Sequence, residues 1–278
     1  MNYIPAYWCL SSNFGDNLNH YLISQLSNNK HVVFVSPTDD CEKYMCIGSI
    51  LNHDVKNCNV WGSGVANSND IVAPKKKIFA VRGKLTGNLL NQQGIEHDEV
   101  YGDPALLLPL IYYPKQYKTK SFFKTKIIGI IPHYVDAKII QDSLSDLNPT
   151  INRSLFNSSN TLIKIIDVNL PIERFINEVT ACDSIISSSL HGLICADAYG
   201  IPSLWAKFSN NIGGDDFKYH DYYSSIDAHA KLYDFRNLKD IKEPLILPEM
   251  YPTEVKNIDE EILKKLWNSC PFLEKNKI

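Results

Sequence analysis

The run Ser187-Ser188-Ser189-Leu190-His191-Gly192 brings hydroxyls, backbone N–H groups and an imidazole to one point of the chain. Such a set can hold an anion and pass a proton near neutral pH. Other segments could share that work. Arg82 closes the run Ala80-Val81-Arg82, where a planar guanidinium suits two-pronged binding of carboxylate or phosphate. Asn13, Gly15, Asp16 and Asn17 form a polar turn before a helical pattern, and Asp16 or Asn17 would cap that helix. Ser63 and Gly64, in Trp61-Gly62-Ser63-Gly64-Val65, allow backbone N–H groups to approach an anion or a sugar. Asp103, held by Pro104 after a short strand, is either a cap or a general base. His133 and Lys207 mark the ends of two further strand-like runs. Lys218, His220 and Asp221 stand with Tyr222 and Tyr223 in a cluster suited to stacking on a sugar, or equally to a solvated aromatic loop. Each of these residues also has a purely structural alternative: a capped loop, a surface ion pair or a corner histidine.

The pattern of the chain says what must position these groups. Continuously apolar runs at 31–36, 44–50, 59–65 and 77–83 follow a helical stripe at 16–29, and a second helical pattern occupies 84–93. Such runs predict buried parallel strands. The stretch 113–126 is basic, aromatic and aperiodic, and reads as a linker. After it the alternation resumes, with strands at 126–132, 162–168, 183–189 and 202–208 and helices between them. Near the end, residues 257–269 give an amphipathic helix with Asn257 as its cap. The reading is α/β throughout: an N-terminal domain at 1–112, a linker at 113–126, and a C-terminal domain at 127–278 whose last helix packs back across the first domain. Two such halves imply a cleft, with ligands beyond the carboxyl ends of the strands.

Composition removes several classes of function. The 278 residues are 44% hydrophobic and 21% charged, with a net charge of −3, so no basic excess points to nucleic acid. Of the 28 basic residues only four are Arg (Arg82, Arg153, Arg174 and Arg236), which gives a well-placed Arg extra weight. No signal peptide or membrane span is visible, and seven cysteines without a Cys-x-x-Cys pair read as reduced thiols of a cytoplasmic protein. Phosphate-binding and dinucleotide-binding glycine motifs, a strict Asp-x-Asp and a nucleophile elbow are missing, so no metal site and no cofactor are expected.

Taken in order, Asn13–Asn17, Val60–Val65, Val81-Arg82-Gly83 with Thr86, Tyr101–Pro109, Ile130–Asp136, Ile186–Gly192 and Asp197–Pro202 resemble the polysaccharide pyruvyl transferase family, and within it the bacterial exopolysaccharide and capsule (ExoV-like) branch. The resemblance implies a GT-B-like fold of two Rossmann-like parallel-sheet domains facing a central cleft. It also implies transfer of pyruvate from phosphoenolpyruvate to a sugar, as a 4,6- or 3,4-linked ketal. The acceptor would be a capsular or exopolysaccharide repeat unit, often linked to a polyprenyl diphosphate. His191 becomes the catalytic acid, with Asp16 or Asp103 as base or hydroxyl-orienting group. The resemblance assigns Arg82, Ser189, Leu190 and Gly192 to phosphoenolpyruvate binding; the chemistry adds Lys207 beside Arg82 as an anion clamp and Ser188 as a substrate-binding residue. This sequence departs from other branches in carrying Ser189 where they carry Arg. A lipid-linked acceptor would bring the enzyme to the cytoplasmic face of the inner membrane, where lysines of the 113–126 stretch can graze anionic lipid; a solvated connection is the alternative. Two other functions stay open: a GT-B glycosyltransferase using a nucleotide sugar, and a glycan-binding member without catalysis.

Overall fold

The computed structural model describes residues 3–11, 13–114, 126–145, 155–156, 161–236 and 253–273. The expected linker therefore lies almost wholly outside the described residues. Two compact units make up the chain, one of Met1–Ile111, Gly214–Ala230 and Ile258–Ile278, the other of Tyr112–Gly213 and Lys231–Asn257.

In the first unit the chain runs β1 (Tyr3–Ala6), α1 (Phe14–Leu26), β2 (His31–Phe34), β3 (Lys43–Met45), β4 (Cys58–Trp61), β5 (Lys77–Ala80) and α2 (Lys84–Gln92). A 3₁₀ turn (Pro104–Leu107) then leads into α3 (Leu108–Ile111). All five strands are parallel, in the order β2-β1-β3-β4-β5. Apolar residues at helical spacing (Leu18, Leu22, Ile23 and Leu26) bury one face of α1, and β4 is buried along its whole length. Asn13 rather than Asp16 or Asn17 caps α1, because its side chain accepts from the Asp16 backbone N–H at 3.0 Å.

The second unit contains β6 (Lys126–Ile131), α4 (Ala137–Ser145), β7 (Leu155–Phe156), β8 (Thr161–Ile165), α5 (Ile172–Thr180), β9 (Ser184–Ser187), α6 (Leu190–Ala198), β10 (Ser203–Lys207) and β11 (Leu232–Asp234). The sheet order is β11-β10-β9-β6-β8-β7, parallel except for the two-residue β7. Ile128, Ile130, Ile163, Ile186, Leu204 and Phe208 form its core. Phe175, Ile176 and Val179 turn one face of α5 inward, as their spacing requires.

The chain returns to the first unit twice. Residues Phe217–Ser225 form α7, and Glu260–Asn268 form α8. Asp259, not Asn257, caps α8 by accepting from the Glu261 N–H at 2.9 Å. Leu266 is buried, and the Trp61 indole N–H donates to Leu266 O at 3.2 Å and to Ser269 Oγ at 3.1 Å, tying the helix to β4.

The α/β reading therefore holds, with two units of doubly wound type consistent with Rossmann-like domains of a GT-B-like protein. Both sheets follow one plan. The strand that begins each unit is flanked on one side by the next parallel strand in the chain and on the other by the third. In the second unit these neighbours of β6 are β8 and β9. The change of direction opens a crevice at the carboxyl ends of β1 and β3 in the first unit, and of β6 and β9 in the second.

Candidate active site

At the β6–β9 crevice the serine run leaves β9 and turns into α6. The Ser187 hydroxyl lies 2.9 Å from both Ile131 O and Ser189 O and accepts from the Ser189 N–H at 2.9 Å. The Ser188 N–H donates to Ile131 O at 3.1 Å, so the turn is pinned to the last residue of β6. Gly192 permits this approach. A Cβ there would stand 2.6 Å from Ser187 Oγ and 2.9 Å from Ile131 Cγ2.

Ser189 occupies the N-cap of α6 and makes no side-chain capping bond, so its half-buried hydroxyl remains available to a ligand. Leu190 and His191 are the first two residues of the helix, where N–H groups have no intrahelical acceptor and the helix dipole favours an anion. Lys207 ends the neighbouring β10.

His133 follows β6 and closes the other side of the crevice. Its N–H donates to Ser188 Oγ at 2.9 Å, and its ring stacks on Tyr134 with centroids 4.4 Å apart. Ser188 Oγ in turn donates to Asp136 Oδ2 at 2.9 Å, and Ser209 Oγ donates to Asp136 Oδ1. Asp136 is fully buried. In the sequence Asp136 figured only as the end of the Ile130–Asp136 segment and Ser209 not at all, since an aspartate in a loop carries no signal of burial. His191, Ser188, Ser189, Leu190, Gly192, His133 and Lys207 thus all lie at the carboxyl edge of the second sheet. Ser188, however, has its proton committed to a carboxylate.

The expected site residues of the first unit divide differently. Arg82 is 1% exposed, and its fork is spent inside the protein. Nε and Nη2 meet Asp221 Oδ2 at 2.9 and 2.8 Å, Nη1 donates to Ser49 Oγ at 2.7 Å, and Nη2 donates to Val65 O at 2.6 Å. Asp221 is itself fully buried and accepts from the Thr86 N–H and the Thr86 hydroxyl, both at 2.7 Å. The anion clamp expected of Arg82 and the ligand contact expected of Asp221 therefore give way to an internal ion pair that joins α7 to the start of α2. Gly64 is part of this arrangement, since a Cβ there would lie 2.6 Å from the Arg82 Cζ.

Ser63 is likewise buried and donates to Gly48 O at 2.9 Å. Asp103 is buried as the cap of the 3₁₀ turn, accepting from the Ala105 N–H at 2.9 Å, which is the cap alternative rather than the base. The aromatic cluster is no solvated loop. It forms α7, with Tyr219, Tyr222 and Tyr223 buried. Lys218 remains half-buried on that helix with Nζ 5.3 Å from the Tyr219 ring centroid; burial, then the charge of Arg82, pushes its pKa down to about 8.

At the start of α1, Asp16 accepts from Ser11 Oγ at 2.5 Å and from Asn13 Nδ2 at 2.7 Å. Gly15 is buried within the first turn and Asn17 is exposed. Asn19, which sequence reasoning passed over, exchanges two hydrogen bonds of 2.9 and 3.0 Å with the Ile47 backbone and so ties α1 to the end of β3.

No group of three or more His, Cys, Asp or Glu side chains placed to hold a metal occurs among the described residues. All seven cysteines are free thiols. No described helix is long and apolar enough to cross a membrane.

Residues 2–210 match the family model for polysaccharide pyruvyl transferase. The chain belongs to the polysaccharide pyruvyl transferase family. It is 26% identical over 226 residues to the uncharacterized protein L143 of Acanthamoeba polyphaga mimivirus, an alignment covering 78% of this chain and 72% of that protein. It is 24% identical over 230 residues to the succinoglycan biosynthesis protein ExoV of Rhizobium meliloti, covering 80% of this chain and 64% of ExoV. The family makes this protein a transferase enzyme and assigns it to pyruvyl transfer onto polysaccharide.

Proposed function

We propose that this pyruvyl transferase moves the pyruvyl group of phosphoenolpyruvate onto two hydroxyls of one sugar in a surface-polysaccharide repeat unit, releasing phosphate and leaving a cyclic ketal. One observation carries the choice of site: the uncapped start of α6, with His191 as its second residue, at the crevice between β6 and β9.

The chemistry sets what the residues must do. Protonating the methylene carbon of phosphoenolpyruvate leaves positive charge at the carbon bearing the phosphate. A first sugar hydroxyl adds there, and a second displaces phosphate to close the ring. One of the two hydroxyl protons balances the proton gained by the new methyl group, and the other leaves with phosphate. His191 supplies the acid. The donor's anionic groups are held by the α6 N–H groups, Ser189 Oγ and Lys207. His133 lines the opposite wall. Arg82 acts from within the first unit as a structural cation.

In this reading the acceptor is a lipid-linked repeat unit met at the cytoplasmic face of a membrane. The family match and the ExoV relative support a polysaccharide acceptor. The test follows phosphate release from phosphoenolpyruvate with an acceptor glycan. His191→Ala is expected to lower the rate at least about a hundredfold, the scale of a lost general acid. A wild-type rate in that variant would refute the assignment.

A further inference from the structure

We propose that Asp136 is the positioning residue of the active site, fixing the serine turn from which His191 projects; the inference rests on the reading of His191 given above. Asp136 is 0% exposed, yet it forms no ion pair among the described residues. A carboxylate so buried is costly unless its oxygens are satisfied. Both oxygens are met by serine hydroxyls drawn from two different strand ends: Ser188 beyond β9 at 2.9 Å, and Ser209 beyond β10. Its own N–H closes the turn after β6 by donating to His133 O at 2.8 Å. One carboxylate thereby ties together the carboxyl ends of three adjacent strands at the crevice.

The consequence for His191 follows along the chain. The Ser188 hydroxyl donates to Asp136 and accepts from the His133 N–H at 2.9 Å, so its orientation is set from both sides. Ser188 immediately precedes the N-cap Ser189, and His191 lies two residues beyond that cap. Rotation of Ser188 would carry the first turn of α6 with it, and with that turn the imidazole and the N–H groups that receive the donor. Asparagine at 136 keeps the shape but replaces one acceptor with an NH₂ donor, so one of the two serine hydroxyls must turn away. No contact between Asp136 and substrate is needed.

The test uses the full chain and two readouts that do not require turnover: the His191 ring Cε1–H resonance, assigned by its absence in His191→Gln, and phosphoenolpyruvate titrated by calorimetry. In Asp136→Asn the His191 resonance is expected to move or broaden and phosphoenolpyruvate affinity to fall about tenfold, on the scale of one lost charge-assisted hydrogen bond. His20 and His31, in the first unit, are expected to keep their resonances. Ser188→Ala is expected to give the same change, and the double variant to add little to either single one. An unmoved His191 resonance with unchanged affinity in Asp136→Asn overturns the proposal, as does full additivity of the two substitutions. Should Asp136→Asn fail to fold, Ser209→Ala removes the other hydroxyl. It is expected to shift His191 in the same direction with a smaller loss of affinity, and no shift there overturns the proposal. Failure of the wild-type chain to bind phosphoenolpyruvate would instead count against the donor reading, and the His191 resonance would still decide the role of Asp136.

Discussion

Breaking the Arg82–Asp221 pair should cost the first unit a large share of its stability. The pair joins residues 139 apart in sequence, its side chains are 1% and 0% exposed, and its closest approach is 2.8 Å. Removing one member of such a pair leaves the other charged, buried and unpaired, at a cost of about 3–5 kcal/mol. Domains of ordinary stability hold only about 5–15 kcal/mol in total. Arg82→Met also strips donors from Ser49 and from Val65 O, while Asp221→Leu strips acceptors from the Thr86 N–H and hydroxyl. Each single substitution is therefore expected to destabilise by about 4 kcal/mol. The double substitution leaves no buried charge and should cost roughly what either single one costs, a coupling of about 3 kcal/mol or more. Native-state hydrogen exchange of peptides from β5 and α2 reads this locally, which matters because a chain of two units need not unfold in one step. Single substitutions costing under about 1 kcal/mol, or a double substitution equal to their sum, would refute the argument.

Three further outcomes are expected. Trp61→Phe removes the indole bonds to Leu266 O and Ser269 Oγ and should loosen α8 by about 1–2 kcal/mol, seen as faster proteolytic release of the C-terminal segment. Gly192→Ala places a Cβ 2.6 Å from Ser187 Oγ, so thermal unfolding should show a loss of about 1–3 kcal/mol, with the transfer rate falling as the start of α6 is pushed from β6. Lys218 is depressed from 10.5 to about 8 on folding, so between those values the unfolded chain holds more protons and the stability contribution of Lys218 rises with pH. Lys218→Met should be more stable than wild type at pH 7, with an advantage that shrinks through that window; a pH-independent difference in urea midpoints would contradict the assignment.

Much of the fold was legible because burial writes itself into the local pattern. Ile127–Ile131 and Ser184–Ser187 read as buried parallel strands on apolar content and flanking turns alone. The turn from β9 into α6 was legible for the same reason, as the point where an apolar run gives way to serines and a helical pattern. Helix caps were less so. Asn13, Asp16 and Asn17 are all good caps, and only the observed bond from the Asp16 N–H to Asn13 selects one. Least legible were roles set by distant partners. Arg82 read as a ligand clamp or a surface ion pair, and not as a buried pair, because its partner Asp221 lies on α7, a segment that returns to the first unit after most of the second has been built. Tyr222 and Tyr223 read equally as a sugar platform and as a solvated loop, because nothing local says that α7 is buried against that unit. Asp136 was legible only as the last residue of the Ile130–Asp136 segment, because its hydrogen-bond partners are serines 52 and 73 residues away.

The most direct test is mass spectrometry of an acceptor glycan incubated with the protein and phosphoenolpyruvate. The account predicts a mass gain of one pyruvate less one water per modified sugar, stoichiometric phosphate release, and loss of both in His191→Ala. Transfer of a sugar from a nucleotide donor without any pyruvate gain, or pyruvate gain undiminished in His191→Ala, would contradict it.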